Sequence, residues 1–155
     1  DRTYPKILDI GCGQGALRKK IHNHNAGNVT GVDVSATAIA TARNNYPPIN
    51  FQVFDIIKED DGDYRDFDAV ILSQVLWYLV EDIGSVLQKT KRMCASGGIL
   101  FVHQYFPSLQ KYGKQIQGIA GFLDLMKTSG LLMVEQVEIQ VEDGGCMLLA
   151  EFYKV

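Results

Sequence analysis

The chain is short of cysteine, of net charge and of long apolar runs, and each shortage removes a class of protein. Its three cysteines, Cys12, Cys94 and Cys146, are odd in number and widely spaced. That leaves neither a disulfide framework nor a zinc pattern, and no metal site is expected. The formal net charge is only −3, so the basic stripe that marks nucleic-acid binders is missing and no nucleic-acid partner is expected. No apolar run approaches the ~18 residues of a membrane-spanning helix, and no signal-peptide pattern is present. The expectation is a reducing, cytoplasmic setting with no membrane partner. Internal repeats, low-complexity tracts and inter-domain linkers are lacking too. The chain starts at Asp1 rather than methionine, as expected of a trimmed product or of one domain of something longer.

What is present is an ordinary globular composition, 46% hydrophobic and 21% charged over 155 residues. Such a chain buries roughly 70% of its unfolded surface in one core. Short apolar runs rich in Val, Ile and Phe at 6–10, 28–33, 49–54, 67–73 and 98–103 read as parallel strands covered on both faces. Helices are expected at 16–23, 36–45, 81–94 and about 117–129, with Ser35 capping the second. The alternation then stops. Segments 131–141 and 146–154 are two strands joined by Glu142-Asp143-Gly144-Gly145, a hairpin signal.

The chemistry is concentrated where the first strand meets the first helix, at Leu8-Asp9-Ile10-Gly11-Cys12-Gly13-Gln14-Gly15. Glycines there let the backbone turn sharply and approach a ligand closely. The second strand ends in Gly31-Val32-Asp33-Val34-Ser35, and an acid at that tip can accept hydrogen bonds from both hydroxyls of a ribose. Together they describe a pocket for an adenosine-containing cofactor at the carboxyl ends of parallel strands. Gly11, Gly13 and Ala16 also satisfy the dinucleotide pattern G-x-G-x-x-[GA], so a nucleotide-dependent oxidoreductase stays among the readings. Asp9 speaks against it. A dinucleotide loop seats a pyrophosphate on a helix N-terminus, and a carboxylate two residues before the first glycine opposes that anion. A cofactor bearing an ammonium and a sulfonium, S-adenosylmethionine (SAM), is compatible with Asp9.

From Ile7 to Gly15 the chain resembles the first motif of class I SAM-dependent methyltransferases, and from Gly31 to Ser35 it is similar to the second. Phe51-Gln52-Val53-Phe54-Asp55-Ile56 is similar to the third. The run from Phe67 to Leu79 matches the fourth strand and its exit, and Ser96-Gly97-Gly98-Ile99-Leu100-Phe101-Val102 resembles the turn into the fifth. The resemblance covers nearly the whole chain in the expected order. It implies an α/β fold: a Rossmann-like three-layer sandwich whose seven-stranded, mostly parallel sheet runs 3-2-1-4-5-7-6, with an antiparallel C-terminal strand and helices on both faces. It also implies one SAM-binding domain that makes S-adenosylhomocysteine (SAH) as product.

On the same resemblance, Asp9, Gly11, Cys12, Gly13, Asp33, Val34, Asp55, Ile56, Ser73 and Gln74 are the cofactor residues. Asp33 takes the ribose, Val34 one face of adenine, Asp55 the adenine amine, and the Ser73 carbonyl the cofactor ammonium. Asp55 can instead cap the following turn. Cys12 reads as a small loop filler rather than a nucleophile. Trp77 and Tyr78 stand where family members line the acceptor pocket, although Trp77 suits a core equally well. His103 ends the fifth strand, where a histidine can take a proton near neutral pH or simply bond a neighbouring loop. Tyr105 and Tyr112 belong to 104–116, read as a loop over the acceptor, and His22 and His24 to a solvated helix end.

The acceptor is narrowed by absences. Ser73-Gln74-Val75-Leu76 is not the Asn/Asp-Pro-Pro-Tyr/Phe motif of amide and nucleobase methylation. Asn45-Tyr46-Pro47-Pro48 has similar letters but precedes the third strand, and no Pro-Cys pair follows the fourth. A small-molecule acceptor is expected, methylated on O, N or C by in-line displacement, with a protein acceptor second. Few residues precede Leu8, whereas the family carries N-terminal helices that roof the pocket. The expectation is therefore an open pocket, a lid supplied by a partner chain or a second copy, or a roof trimmed from this chain. The remaining alternative is a non-catalytic SAM-fold subunit.

Overall fold

The computed structural model describes residues 4–24, 28–110 and 116–154. Its strands are β1 (Lys6–Ile10), β2 (Asn28–Asp33), β3 (Asn50–Val53), β4 (Phe67–Ser73), β5 (Cys94–Phe106), β6 (Leu131–Gln140) and β7 (Cys146–Lys154). The helices are α1 (Ala16–His24), α2 (Ala36–Asn45), α3 (Leu76–Leu79), α4 (Ile83–Met93) and α5 (Gly118–Thr128), with a 3₁₀ turn at Val80–Asp82 between α3 and α4. They form one seven-stranded sheet in the order β3-β2-β1-β4-β5-β7-β6. The first five strands are parallel, and β7 runs antiparallel to both β5 and β6. This is the α/β sandwich that the resemblance implies.

The period of two along each strand divides the core. Leu8 and Ile10 of β1, Val70 and Leu72 of β4 and Leu100 and Val102 of β5 point to one face, where Val86, Leu87 and Met93 of α4 and Phe122 of α5 meet them. Ile7, Val29, Ala69 and Ile99 point to the other, against Ile21 of α1. In α4 the buried residues Ile83, Val86, Leu87, Thr90 and Met93 recur at helical spacing, which makes one apolar stripe. Ser35 caps α2 as expected: its Oγ accepts from the Ala38 N–H at 3.2 Å. Among the described residues no helix is long and apolar enough to cross a membrane.

The structure corrects three expectations. The fifth strand is longer at both ends: it begins at Cys94, expected in a helix, and continues to Phe106. Gln104, Tyr105 and Phe106 are therefore not loop; they pair with Leu148, Met147 and Cys146 of β7. The polar Gln104 suggested a loop, yet it occupies a buried strand phase at 1% exposure because its amide is hydrogen-bonded there. At the other end, a register shift between Phe67 and Ala69 absorbs the residues around Gly97, whose φ of +74° explains the glycine. The third difference is α3, four residues long and so too short to show a period. Tyr112 lies outside the described residues, as do the side chains of His22 and His24.

The connection from β3 to β4, residues 54–66, holds no helix, although parallel strands are usually joined by one. It is tied instead to α4. Asp61, 3% exposed, accepts from Arg92 Nε at 3.0 Å and Nη2 at 3.1 Å, and Arg65 Nη1 stands 3.0 Å away. The Arg92 hydrogen bond, more than any other influence, holds the Asp61 carboxyl below the usual carboxylate range.

Candidate cofactor and acceptor site

A cleft of about 510 Å³ opens at the carboxyl ends of β1, β2 and β4. The chain leaves β1 at Ile10 and turns at Gly11, whose φ is +73°. The N–H groups of Gly11 and Cys12 both donate to the Val32 carbonyl, at 2.8 and 3.0 Å, so the glycine loop is fastened to β2. The Gly13 N–H donates to Asp33 Oδ2 at 2.9 Å and the Ser35 N–H to Oδ1 at 2.8 Å. The carboxylate is thereby oriented on the cleft wall, and each oxygen retains a second acceptor direction. Beside it Val34 is 65% exposed, an apolar face with no protein cover.

On the far wall, Asp55 caps its own turn. Oδ1 accepts from the Ile57 and Lys58 N–H groups at 3.0 and 3.3 Å, and the Asp55 N–H donates back to Glu59 Oε1 at 2.7 Å. Burial pushes this carboxyl up, but those two N–H groups and the Lys58 charge together hold it below its ordinary value. Capping and lining coexist, because Asp55, Ile56 and Ile57 all wall the cleft.

The floor is the end of β4. Ser73 Oγ lies 3.0 Å from His103 Nδ1 on the neighbouring strand, and the Gln74 N–H donates to the His103 carbonyl at 2.8 Å. Gln74 has a φ of +58°, sparsely populated for a residue with a side chain, and its strain marks the exit of the strand. Its amide is anchored away from the cleft: Oε1 accepts from Gln104 Nε2 and from the Tyr105 N–H, both at 3.2 Å. Gln104 Oε1 in turn accepts from the Leu76 N–H at 3.1 Å, which starts α3.

The structure thus brings Gly11, Asp33, Val34, Asp55, Ile56, Ser73, Gln74 and Tyr78 onto one cleft. Tyr78 stands at its rim, 83% exposed. The other residues singled out from the sequence sit elsewhere. Asp9 is 1% exposed and does not wall the cleft. Cys12 is buried; burial, and after it the Asp33 charge, pushes its thiol up to about 12, so it is no nucleophile. Gly13 acts through its N–H on Asp33. His103 stands behind Ser73. Trp77 packs edge-on against Phe106, with ring centroids 5.4 Å apart, and its Nε1–H donates to the Tyr105 carbonyl. Tyr105 lies against Gly145 and donates its hydroxyl to Asp143, which joins it to the β6–β7 hairpin. Sequence reasoning missed Val75, which packs directly on Gly11, and Gln104. A polar residue in the buried phase of an alternating strand was the available signal for Gln104.

The donor set is one-sided. Among the described residues, those that wall the cleft include two carboxylates and no Lys, Arg or His. A pyrophosphate would meet two carboxylates and, beside Asp55, an ammonium already paired with it at 3.5 Å, that of Lys58, whereas a cationic ligand with a ribose and a flat base meets carboxylates and aliphatic walls. Those residues fit a SAM-type cofactor. Among the described residues no three His, Cys, Asp or Glu side chains stand close enough together to hold a metal ion.

Comparison with known proteins agrees with this geometry. The signature of a methyltransferase domain matches residues 8–102. The ubiquinone biosynthesis O-methyltransferase of Glaesserella parasuis is 34% identical over 105 residues, 63% of this chain and 44% of that protein. The ribosomal protein L11 methyltransferase of Lactobacillus gasseri is 32% identical over 96 residues, 59% of this chain and 30% of that protein. The chain therefore spans less than half the length of these curated relatives. A TehB-like SAM-dependent methyltransferase from Corynebacterium glutamicum superposes with a TM-score of 0.79 over 100% of this chain and 83% of that one; at 23% identity this likeness is one of fold. With more than half of its length matched by that signature, the chain belongs to the methyltransferase-domain family, in keeping with the class I SAM-dependent enzymes that its motifs resemble.

Proposed function

We propose that this domain binds SAM in the cleft and transfers its methyl group to a small-molecule acceptor carrying a protic nucleophile. One observation carries the cofactor: the cleft wall joins an oriented Asp33 carboxylate to exposed Val34 and to Asp55, with no cation among the described residues that line it. Bound there, SAM supplies a methyl group already activated by its sulfonium. The chain's own residues align and shield. Asp33 takes the ribose hydroxyls, Val34 and Ile56 flank the adenine, and the Ser73 carbonyl receives the ammonium. Holding two reactants in attack geometry contributes roughly 7–11 kcal/mol, so alignment supplies most of the rate.

His103 is the base in this reading. Its Nδ1 faces Ser73 Oγ at 3.0 Å, and Ser73 lines the cleft. As the acceptor–carbon bond forms and the sulfur–carbon bond breaks, the acceptor's proton passes to His103 by way of the Ser73 hydroxyl. The exposed Tyr78 at the rim offers an aromatic face to the acceptor. A small molecule is favoured by the modest cleft volume and by the missing Asn/Asp-Pro-Pro-Tyr/Phe motif. Among the relatives, one is named for ubiquinone biosynthesis and another for a ribosomal protein, so a protein acceptor is the second reading. We read the chain as a single domain whose cleft is open at Val34 and Tyr78, so excluding water requires a lid over these residues. The free, buried cysteines accord with a reducing cytoplasm.

The test is transfer of label from methyl-labelled SAM to a panel of phenols, alcohols and amines, with a protein lysate in parallel. Label is expected in the small-molecule fraction. His103→Gln is expected to lower kcat by about 10²-fold or more, the usual share of a general base, with SAH affinity unchanged. Label confined to protein would overturn the acceptor class, and an unchanged kcat would remove His103 from the chemistry.

A further inference from the structure

One lysine outside the cleft holds the wall against which the base would lie. Lys89, on α4, donates from Nζ to three main-chain carbonyls: Ile56 at 2.7 Å, Ile57 at 3.0 Å and Glu59 at 2.7 Å. An ammonium has three N–H donors, and here each has an acceptor. Two of those carbonyls belong to Ile56 and Ile57, whose residues wall the cleft. The reason for the arrangement lies in the crossover. Residues 54–66 form no helix, so their carbonyls are not satisfied by a helical ladder and need other partners. α4 supplies cations at two positions three residues apart, which share a helix face: Lys89 on the turn after β3, and Arg92 on Asp61. The turn is closed locally as well, by the Asp55 N–H donating to Glu59 Oε1 and the Glu59 N–H donating to the Asp55 carbonyl.

We infer that Lys89 is a positioning residue for the cofactor, clamping the 56–59 wall in the conformation that accepts the adenine end. The inference rests on the SAM reading of the cleft. The lysine does not touch the ligand; it acts through the main chain that does. A neutral side chain of similar length fills the same space but leaves three carbonyls without a donor, and the wall then shifts to find others. Arginine keeps the charge and several donors in a different geometry, so it restores part of the function.

The experiment compares the unsubstituted protein with Lys89→Met and Lys89→Arg. It reads calorimetric affinity for SAH and for 5′-methylthioadenosine, and amide hydrogen exchange at 56–59 and at Val86–Leu87 in the core. Lys89→Met is expected to weaken both ligands by the same factor, about tenfold or more, as loss of charge-assisted hydrogen bonds implies. Exchange should quicken at 56–59 while Val86 and Leu87 stay protected, and Lys89→Arg should recover most of the affinity. Equal affinities and unchanged exchange in Lys89→Met overturn the inference. So does a loss confined to SAH, which places the effect at the amino-acid end, and so does deprotection of Val86 and Leu87, which makes the role one of global stability. If the unsubstituted protein binds neither ligand, the SAM reading fails, and the exchange at 56–59 alone decides whether Lys89 clamps that wall.

Discussion

Gly11→Ala is expected to abolish measurable SAH binding and to lower the melting temperature by several degrees. Two effects coincide at this position. Its φ of +73° is one that L side chains rarely adopt, which costs about 1–3 kcal/mol. The added Cβ would also stand 2.1 Å from Val75 Cγ1, far inside contact distance. Val75 is half-buried and packs against the main core, so it cannot swing clear. Overpacking of this kind costs about 1–3 kcal/mol more. At 2–4 °C per kcal/mol for a domain of this size, the combined loss is roughly 4–24 °C. The glycine loop is the part that yields, and its movement disturbs the bonds to Val32 that set the cleft mouth. Gly13→Ala is the control, because its φ is +53° but nothing lies within 4 Å of the added methyl. It should show the backbone strain without the collision. Thermal melts of both variants, with Gly11→Ala/Val75→Ala as a partial rescue, separate the two contributions. Equal melting temperatures for the two alanine variants would remove the collision from the argument.

Asp33→Ala is expected to weaken SAH binding by about 100-fold or more, since two hydrogen bonds to an ionised group are worth about 1.5–3 kcal/mol each. Asp33→Asn should not rescue it. Both carboxylate oxygens already accept from backbone N–H groups, Gly13 on one side and Ser35 on the other. An amide has one acceptor and one donor end, so in either orientation it turns an N–H toward an N–H. Calorimetric titration with SAH checks both variants, and near-native affinity in Asp33→Asn would show that the carboxylate does not hold the ligand.

The parallel half of the fold was legible because its signals are local: apolar runs for β1, β2 and β4, a glycine loop after the first and an acid after the second. The glycine-rich hairpin signal placed β6 and β7 correctly. What escaped was set by tertiary contacts. Gln104 looks like loop and is strand, because its amide satisfies both Gln74 and the first N–H of α3. Tyr105 looks like an acceptor residue on sequence position alone, yet it is committed to Asp143, thirty-eight residues away. Lys89 carries no motif at all; its role exists only because a crossover without a helix leaves carbonyls for it to hold.

The central claim is that the cleft takes SAM and not a dinucleotide. Calorimetric titration of the unsubstituted protein with SAH, and separately with NAD⁺, tests it most directly. Saturable one-to-one binding of SAH with no heat from NAD⁺ is the predicted result. Binding of NAD⁺ in preference to SAH would contradict the account, because it would require an anionic pyrophosphate to sit in a cleft walled by Asp33 and Asp55, where the ammonium beside Asp55, that of Lys58, is already paired.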